Sequence, residues 1–218
     1  MRQYHYANCQ CTGPVRTARH NLIKRILANT LTQIPSINVK VEDYESGKGV
    51  PGPNLIPDIT VKVFDFQRNP TALETYILGQ ERVHTHSFSF GIDIIVSDIQ
   101  ASSNEKQHRE GLFAEVGEQE KLKKYEKHND DTSNIILPFA LSSVGEFAPI
   151  AHHIIKFIKE MAFRYGVCIN TEQMTEQMCL LLETSRYEME RTYFEEIQRK
   201  VNMRVGTKDI KNSEFMNL

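Results

Sequence analysis

Residues 87–96 constrain the fold more than any other part of the sequence. The run reads Ser-Phe-Ser-Phe-Gly-Ile-Asp-Ile-Ile-Val, so it alternates apolar and polar side chains at first and then becomes almost wholly apolar. The first pattern is typical of a β-strand and the second of a strand with both faces covered. We therefore predict the central strand of a sheet. Asp93 lies within it, where an ionised carboxylate is costly to bury unless it is paired or binds a metal.

The rest of the chain predicts an α/β layer fold around this strand. Alternating apolar and polar residues predict three more strands, at 37–42, 58–64 and 134–140. Longer segments predict helices, at 17–33, 104–128, 147–165 and 172–205, the last of them as one or two helices. Thr17 is the predicted N-cap of the first helix, and residues 65–85 are predicted to be irregular.

Length and charge suggest three parts. The 218 residues suit one domain with an appendage, and we predict a basic leader at 1–16, a core at 17–165 and a helical extension at 166–218. Residues 1–41 contain six basic and no acidic side chains, whereas the remainder carries 20 basic and 28 acidic ones. A basic leading segment can contact a polyanion, although a chance cluster on a solvated helix gives the same count.

Several classes of protein are disfavoured. The sequence has no run of about 18 apolar residues, so we expect no membrane span. The start lacks a basic-then-apolar signal segment, so we expect an intracellular protein with reduced thiols at its four cysteines. No serine or cysteine nucleophile elbow is visible. Gly47-Lys48-Gly49 lacks the following helix that a phosphate-binding loop needs.

Three carboxylates fall at strand positions that point to a metal site. Glu42 closes the first predicted strand, Asp58 opens the second after Pro57, and Asp93 lies inside the third. If they converge, they form an all-oxygen site suited to Mg²⁺ or Mn²⁺, which can bridge a phosphodiester and activate water. Taken singly, each has an ordinary explanation, such as a turn cap for Asp58 or a solvated strand end for Glu42.

One face of the predicted helix at 104–128 carries polar side chains that can assist such a site. Glu118, Lys121 and Tyr125 are spaced i, i+3 and i+7, and Lys124 is adjacent to them. A lysine aimed at a metal–carboxylate cluster can orient water or neutralise charge that develops on a phosphate. The same pattern alone is also ordinary for a helix surface.

Taken in order, these motifs resemble the restriction-like endonuclease domain at the C-terminal end of non-LTR retrotransposon polyproteins, within the PD-(D/E)XK nuclease superfamily. The resemblance covers residues 5–165. It rests on six short motifs, Arg19-His20-Asn21, Val41-Glu42, Pro57-Asp58-Ile59, Ile92-Asp93-Ile94, Glu118-x-x-Lys121-x-x-Lys124-Tyr125 and Ile136-Leu137-Pro138-Phe139 with Gly145 behind it.

The resemblance implies a restriction-endonuclease-like αβββαβ core with a mixed four-stranded sheet and a C-terminal helical extension. It implies metal-dependent nicking of double-stranded DNA in the nucleus, with element RNA and a reverse transcriptase region as further partners. An oligomer would suit cuts on opposite strands. Ile95 occupies the usual position of the catalytic lysine, which the family is thought to have moved to the following helix, matching Lys121 or Lys124.

The resemblance also assigns roles to the other candidate residues. Asp58 and Asp93 are the implied Mg²⁺ or Mn²⁺ ligands, and Glu42 is a further ligand or a base. Two residues of the predicted helix at 104–128 have supporting roles, Glu118 and Tyr125. Tyr125 can contact the lysine or the DNA backbone. At the start of the first helix, Arg19 and His20 can hold a phosphate or brace Glu42.

A zinc site is the least complete part of the resemblance. Family members usually carry a Cys/His zinc knuckle ahead of the first helix, and His5 and Cys9 look like its second half, while the first cysteine pair would lie before Met1. A structural zinc needs about four ligands. Either an altered site uses His5, Cys9 and Cys11, with His20 as a possible fourth ligand, or the cysteines are free thiols in a flexible leader.

Two alternatives to a nuclease stay open from the sequence. The first is a catalytically degenerate nucleic-acid-binding or interaction domain derived from such an element, which the missing half knuckle and the acidic remainder of the chain suggest. The second is a structural α/β protein with an accidental order of motifs. A large separation between the Asp58 and Asp93 carboxylates would favour the second.

Overall fold

The computed structural model describes residues 10–41, 56–64, 71–78, 87–98, 113–131 and 135–214. A 3₁₀ turn at Gln10–Thr12 leads into the first helix. The helices and strands are, in chain order, α1 (Gly13–Leu31), β1 (Ile37–Val41), β2 (Ile59–Phe64), α2 (Ala72–Leu78), β3 (Ser87–Ser97), α3 (Phe113–Asp131), β4 (Ile135–Ser142), α4 (Pro149–Arg164) and α5 (Thr171–Glu214).

The four strands form one mixed sheet in the order β1-β2-β3-β4. The β1–β2 and β2–β3 pairs are antiparallel, and the β3–β4 pair is parallel. Parallel neighbours need a crossover connection, and α3 lies between β3 and β4 in the chain. The prediction that β3 is a central strand is confirmed, as is the α/β class with a mixed four-stranded sheet.

Successive side chains of β3 point to alternate faces of the sheet. Phe88, Phe90, Ile92 and Ile94 enter the main core, together with apolar residues of α1 and α4. The opposite face, which carries Asp93 and Ile95, is covered by α3. A Cβ added to Gly117 of α3 would clash with Ser97 Oγ, so this helix approaches the sheet closely. The acid of β3 therefore points to the α3 side.

The strand β4 lies at the edge of the sheet, which explains how it accommodates Pro138. The edge is also protected by α3. The Asn129 side chain donates to the Ile136 carbonyl oxygen at 3.1 Å and accepts from the Ile136 N–H at 2.8 Å. This amide occupies the hydrogen-bonding groups that a further strand would otherwise pair with.

Two predictions about the helices of the first half are wrong. Residues 65–85 were predicted to be irregular, but they contain α2, which Leu73 and Ile77 anchor to the core through one buried face. The order is therefore αββαβαβ up to β4. The helix α1 begins at Gly13, with a proline in its first turn, and the Thr17 hydroxyl donates to the Gly13 carbonyl instead of capping the helix.

The C-terminal extension is one long helix that packs on the core. Its buried side chains include Met174, Met178, Leu182 and Met189, and Met189 contacts Val15 of α1. The start of α5 therefore covers α1. Within the described residues, no helix has the length and apolar character that crossing a membrane requires.

Candidate active site

The pairing of β2 with β3 brings Asp58 and Asp93 together. The register pairs Ile59 with Ile92, and the same register continued by one residue sets Asp58 opposite Asp93. The Ile94 N–H donates to Asp58 Oδ2 at 2.8 Å, which fixes the start of β2 against β3. Both acids are buried, with 2% and 7% of their surface exposed. The arrangement with widely separated carboxylates is therefore excluded.

Gly91 permits this approach of the two strands. A Cβ at this position would lie 2.7 Å from Pro57 Cβ, closer than real Cβ contacts allow. Any other residue at 91 would push Pro57, and Asp58 with it, away from β3. The Pro57-Asp58 motif and the glycine of β3 thus form one structural unit.

Asp58 uses one of its two oxygens for hydrogen bonds with the described residues. His20 Nε2 of α1 lies 3.1 Å from Asp58 Oδ2, the oxygen that also accepts from Ile94. Oδ1 is buried and has no hydrogen-bond partner among the described residues. Burial alone raises the pKa of Asp58, but the hydrogen bonds from His20 and Ile94 outweigh it, so the pKa is lowered. A buried anionic oxygen without a donor is a natural ligand for a cation.

The contact with Asp58 also shifts the pKa of His20. Its hydrogen bond to Asp58 raises its pKa above 6.5, against the opposing effect of partial burial. The imidazole of His20, on α1, therefore stabilises the negative charge of Asp58. The sequence singled out both residues but did not indicate that they contact each other.

Asp93 is bonded to two side chains of α3. Lys121 Nζ lies 2.6 Å from Asp93 Oδ2, and the Tyr125 hydroxyl donates to the same oxygen. Lys121 and Tyr125 are one helical turn apart, so α3 presents them together. Lys124 is exposed, and its Nζ lies 5.2 Å from the centroid of the Tyr125 ring. Of the two candidate lysines, Lys121 is the one in contact with the acids.

Arg19 makes a contact that the sequence did not indicate. Its guanidinium is buried and binds Asp98 in a bidentate manner, with N–O distances of 3.1 and 3.2 Å. Asp98 directly follows β3, so the pair fixes α1, and with it His20, to the end of the central strand. An acid just beyond a buried strand is the only signal of this role in the sequence, because 79 residues separate the two partners.

Glu118 has a structural contact. Its Oε2 accepts from the Ile150 N–H at 2.8 Å, in the first turn of α4, where the N-cap residue Ala148 offers no side-chain acceptor. Burial raises the pKa of Glu118, although the hydrogen bond from Ile150 opposes this effect. Glu118 therefore joins α3 to α4 beside the site.

Glu118→Ala is expected to lower the free energy of unfolding by about 1–3 kcal/mol, because the buried Ile150 N–H loses its acceptor. Glu118→Gln keeps an acceptor and should retain most of the stability. Since the folded protein holds the Glu118 proton more tightly than the unfolded chain, wild-type stability should fall relative to the Gln variant as the pH rises above 4.5. Urea unfolding of wild type and both variants, at pH values below and above 4.5, measures both effects. A difference between wild type and Glu118→Gln that does not change with pH would contradict the expected pH dependence.

The acids present fit a divalent cation that also binds a phosphate. Among the described residues, no group of three or more His, Cys, Asp or Glu side chains is placed to hold a metal. Mg²⁺, however, is commonly bound by one or two carboxylates, with waters and substrate phosphates completing its octahedron. Asp58, with its buried unpaired Oδ1, and Asp93 supply such a pair. Glu42, the third predicted acid, lies outside the described residues.

The predicted zinc ligands fall mostly outside the described part of the chain. His5 and Cys9 are among the residues not described, and Cys11 is half-buried in the 3₁₀ turn. His20, the fourth candidate, hydrogen-bonds Asp58. The zinc hypothesis therefore stays a prediction.

The chain was also compared with known proteins. No protein-family model and no curated protein sequence matches it. The geometry of the site and the order of the motifs are therefore the features that point to a function.

Proposed function

We propose that the protein is a metal-dependent DNA endonuclease of the PD-(D/E)XK type. One observation carries the proposal: Asp58 and Asp93 oppose each other at paired strands, a buried oxygen of Asp58 has no partner among the described residues, and Lys121 lies 2.6 Å from Asp93. Two acids on neighbouring strands and a lysine of the facing helix suit metal-assisted phosphodiester hydrolysis. The mixed sheet with flanking α1 and α3 is compatible with a restriction-endonuclease-like core.

The proposed roles follow from the contacts. Asp58 and Asp93 would hold Mg²⁺ or Mn²⁺, which when bound supplies a Lewis acid at the phosphate and lowers the pKa of water. The Lys121 ammonium is placed to orient the attacking water or to stabilise charge that develops on the phosphate. Tyr125 holds Asp93, and His20 holds Asp58, so both carboxylates are oriented before substrate binds.

DNA is the proposed substrate because of the motif order and the charge of the leading segment. Residues 1–41 carry six basic and no acidic side chains, of which Arg19 and Lys24 are buried, and α1, which lies in this segment, delivers His20 to the site. A polyanion bound along this segment would therefore pass close to the carboxylates. The role of nicking target DNA for a retrotransposon follows only from the resemblance.

The test is nicking of supercoiled plasmid by the purified chain with Mg²⁺ or Mn²⁺, with EDTA as a control. Conversion to open-circular DNA that requires the metal supports the nuclease. Absence of nicking, together with retardation of DNA on a gel without metal, would favour the catalytically degenerate binding domain. If neither nicking nor binding occurs, the proposed substrate class is wrong.

A further inference from the structure

The helix α5 carries a second apolar face, which the described part of the fold leaves largely exposed. Four large side chains on it are spaced seven residues apart and are each more than half exposed, Leu180, Tyr187, Phe194 and Val201. We call these four residues the heptad stripe. Seven residues make almost two helical turns, so the stripe follows one side of α5 over about 31 Å, with the drift that gives a left-handed supercoil.

The heptad stripe lies opposite the face that packs on the core. Met178 is fully buried, and Tyr187 is nine residues further on, which is two and a half turns of the helix. The α1 contacts and the stripe are therefore on opposite sides of α5. A second helix can reach the stripe without displacing α1.

Beyond Met189, α5 packs only partly against the described part of the fold, through half-buried side chains such as Tyr193. From 190 to 203, the described side chains include none that is buried. A helical segment that packs only partly is marginal in water, and exposed aromatic residues in a row indicate an interaction surface. This segment contains Phe194 and Val201, which are half of the stripe.

We propose that the heptad stripe binds the heptad stripe of a second copy of this chain in an antiparallel helix pair. Helices with a heptad repeat of apolar residues associate with helices of the same period, and the stripe supplies one of the two apolar positions of each heptad. A two-fold axis between residues 190 and 191 sets Leu180 of one copy against Val201 of the other, and Tyr187 against Phe194. The contact closes on itself and gives a dimer.

Charge selects the antiparallel orientation. Residues 172–190 contain five glutamates and one arginine, whereas residues 191–203 contain three basic and two acidic side chains. Antiparallel packing sets the acidic half of one helix against the basic half of the other. Parallel packing would set the two acidic halves side by side, which is unfavourable.

The mass of the full chain in solution tests the dimer, measured by sedimentation equilibrium between about 1 and 100 μM. Wild type is expected at twice its 25.1 kDa. Tyr187→Glu/Phe194→Glu is expected to weaken the dimer by about 100-fold or more, because two central side chains are lost from the contact. The double variant Tyr187→Ala/Phe194→Ala introduces residues of higher helix propensity than glutamate. It should also weaken the dimer.

The matched control is Phe163→Glu, which changes an aromatic residue on α4 that is 89% exposed and lies outside the stripe. This variant should stay dimeric. A monomeric wild type, a dimer that survives both double variants, or a dimer lost equally in Phe163→Glu would each overturn the proposal. The result does not depend on nuclease activity.

Energy transfer between chains labelled at the C-terminal carboxyl tests the orientation. In the antiparallel pair, the ends of α5 at residue 214 lie about 70 Å apart, since each is about 23 residues from the two-fold axis. Little transfer between donor-labelled and acceptor-labelled chains is therefore expected with common dyes. Efficient transfer would indicate a parallel pair and overturn the proposed arrangement.

Discussion

Asp93→Asn is expected to reduce metal-dependent nicking by about 10³-fold or more, because a neutral amide loses several kcal/mol of metal-assisted stabilisation of the transition state. The variant keeps an oxygen that can accept the hydrogen bonds from Lys121 and Tyr125. The fold should therefore persist, and circular dichroism with thermal unfolding checks it. The rate of loss of supercoiled plasmid at saturating Mn²⁺ is the primary measurement.

Binding of the metal gives a second readout for the same variant. Mn²⁺ alone should raise the unfolding temperature of wild type, because a ligand that binds only the folded state stabilises it. Asp93→Asn should lose most of this shift. Glu183→Gln, which removes the same charge at an exposed position of α5, is the matched control and should behave as wild type in both assays. Full activity of Asp93→Asn would show that the site is assigned to the wrong residues.

The acids were predictable because two independent patterns agreed. Alternation of apolar and polar residues located β2 and β3, and Asp93 stood out as a charge among isoleucines in the central strand. Asp58 directly precedes its strand, so an antiparallel pair brings the two acids together once the register is right. Local pattern and strand pairing therefore sufficed for this part of the site.

The supporting contacts were not predictable, because they join residues far apart in the chain. His20 reaches Asp58 across 38 positions and Arg19 reaches Asp98 across 79, and no periodicity encodes either pair. The short helix α2 was missed for a different reason: it has seven residues, fewer than the window over which a helical pattern is distinguishable. Tertiary packing decides both kinds of feature.

The two candidate lysines of α3 differ in one respect that decides between them. Lys121 Nζ lies 2.6 Å from Asp93 Oδ2, whereas Lys124 is exposed and contacts the face of the Tyr125 ring. Of the two, Lys121 is therefore the one that could act on a phosphate in the proposed site. Loss of one preorganised group that stabilises transition-state charge typically costs about 10²–10³-fold in rate.

Lys121→Ala is accordingly expected to reduce the single-turnover rate of nicking by about 10²–10³-fold with little change in DNA affinity, since the lost contact forms in the transition state. Lys124→Ala, the matched control on the same helix, should change the rate by less than about threefold, as expected for a residue that makes no such contact. Lys121→Arg should recover part of the activity, because it keeps the charge but not the geometry of the ammonium. Single-turnover rates and binding titrations of the three variants separate these effects. If Lys124→Ala shows the large loss and Lys121→Ala does not, then Lys121 serves to hold Asp93 in place, and α3 must shift when DNA binds to bring Lys124 to the phosphate.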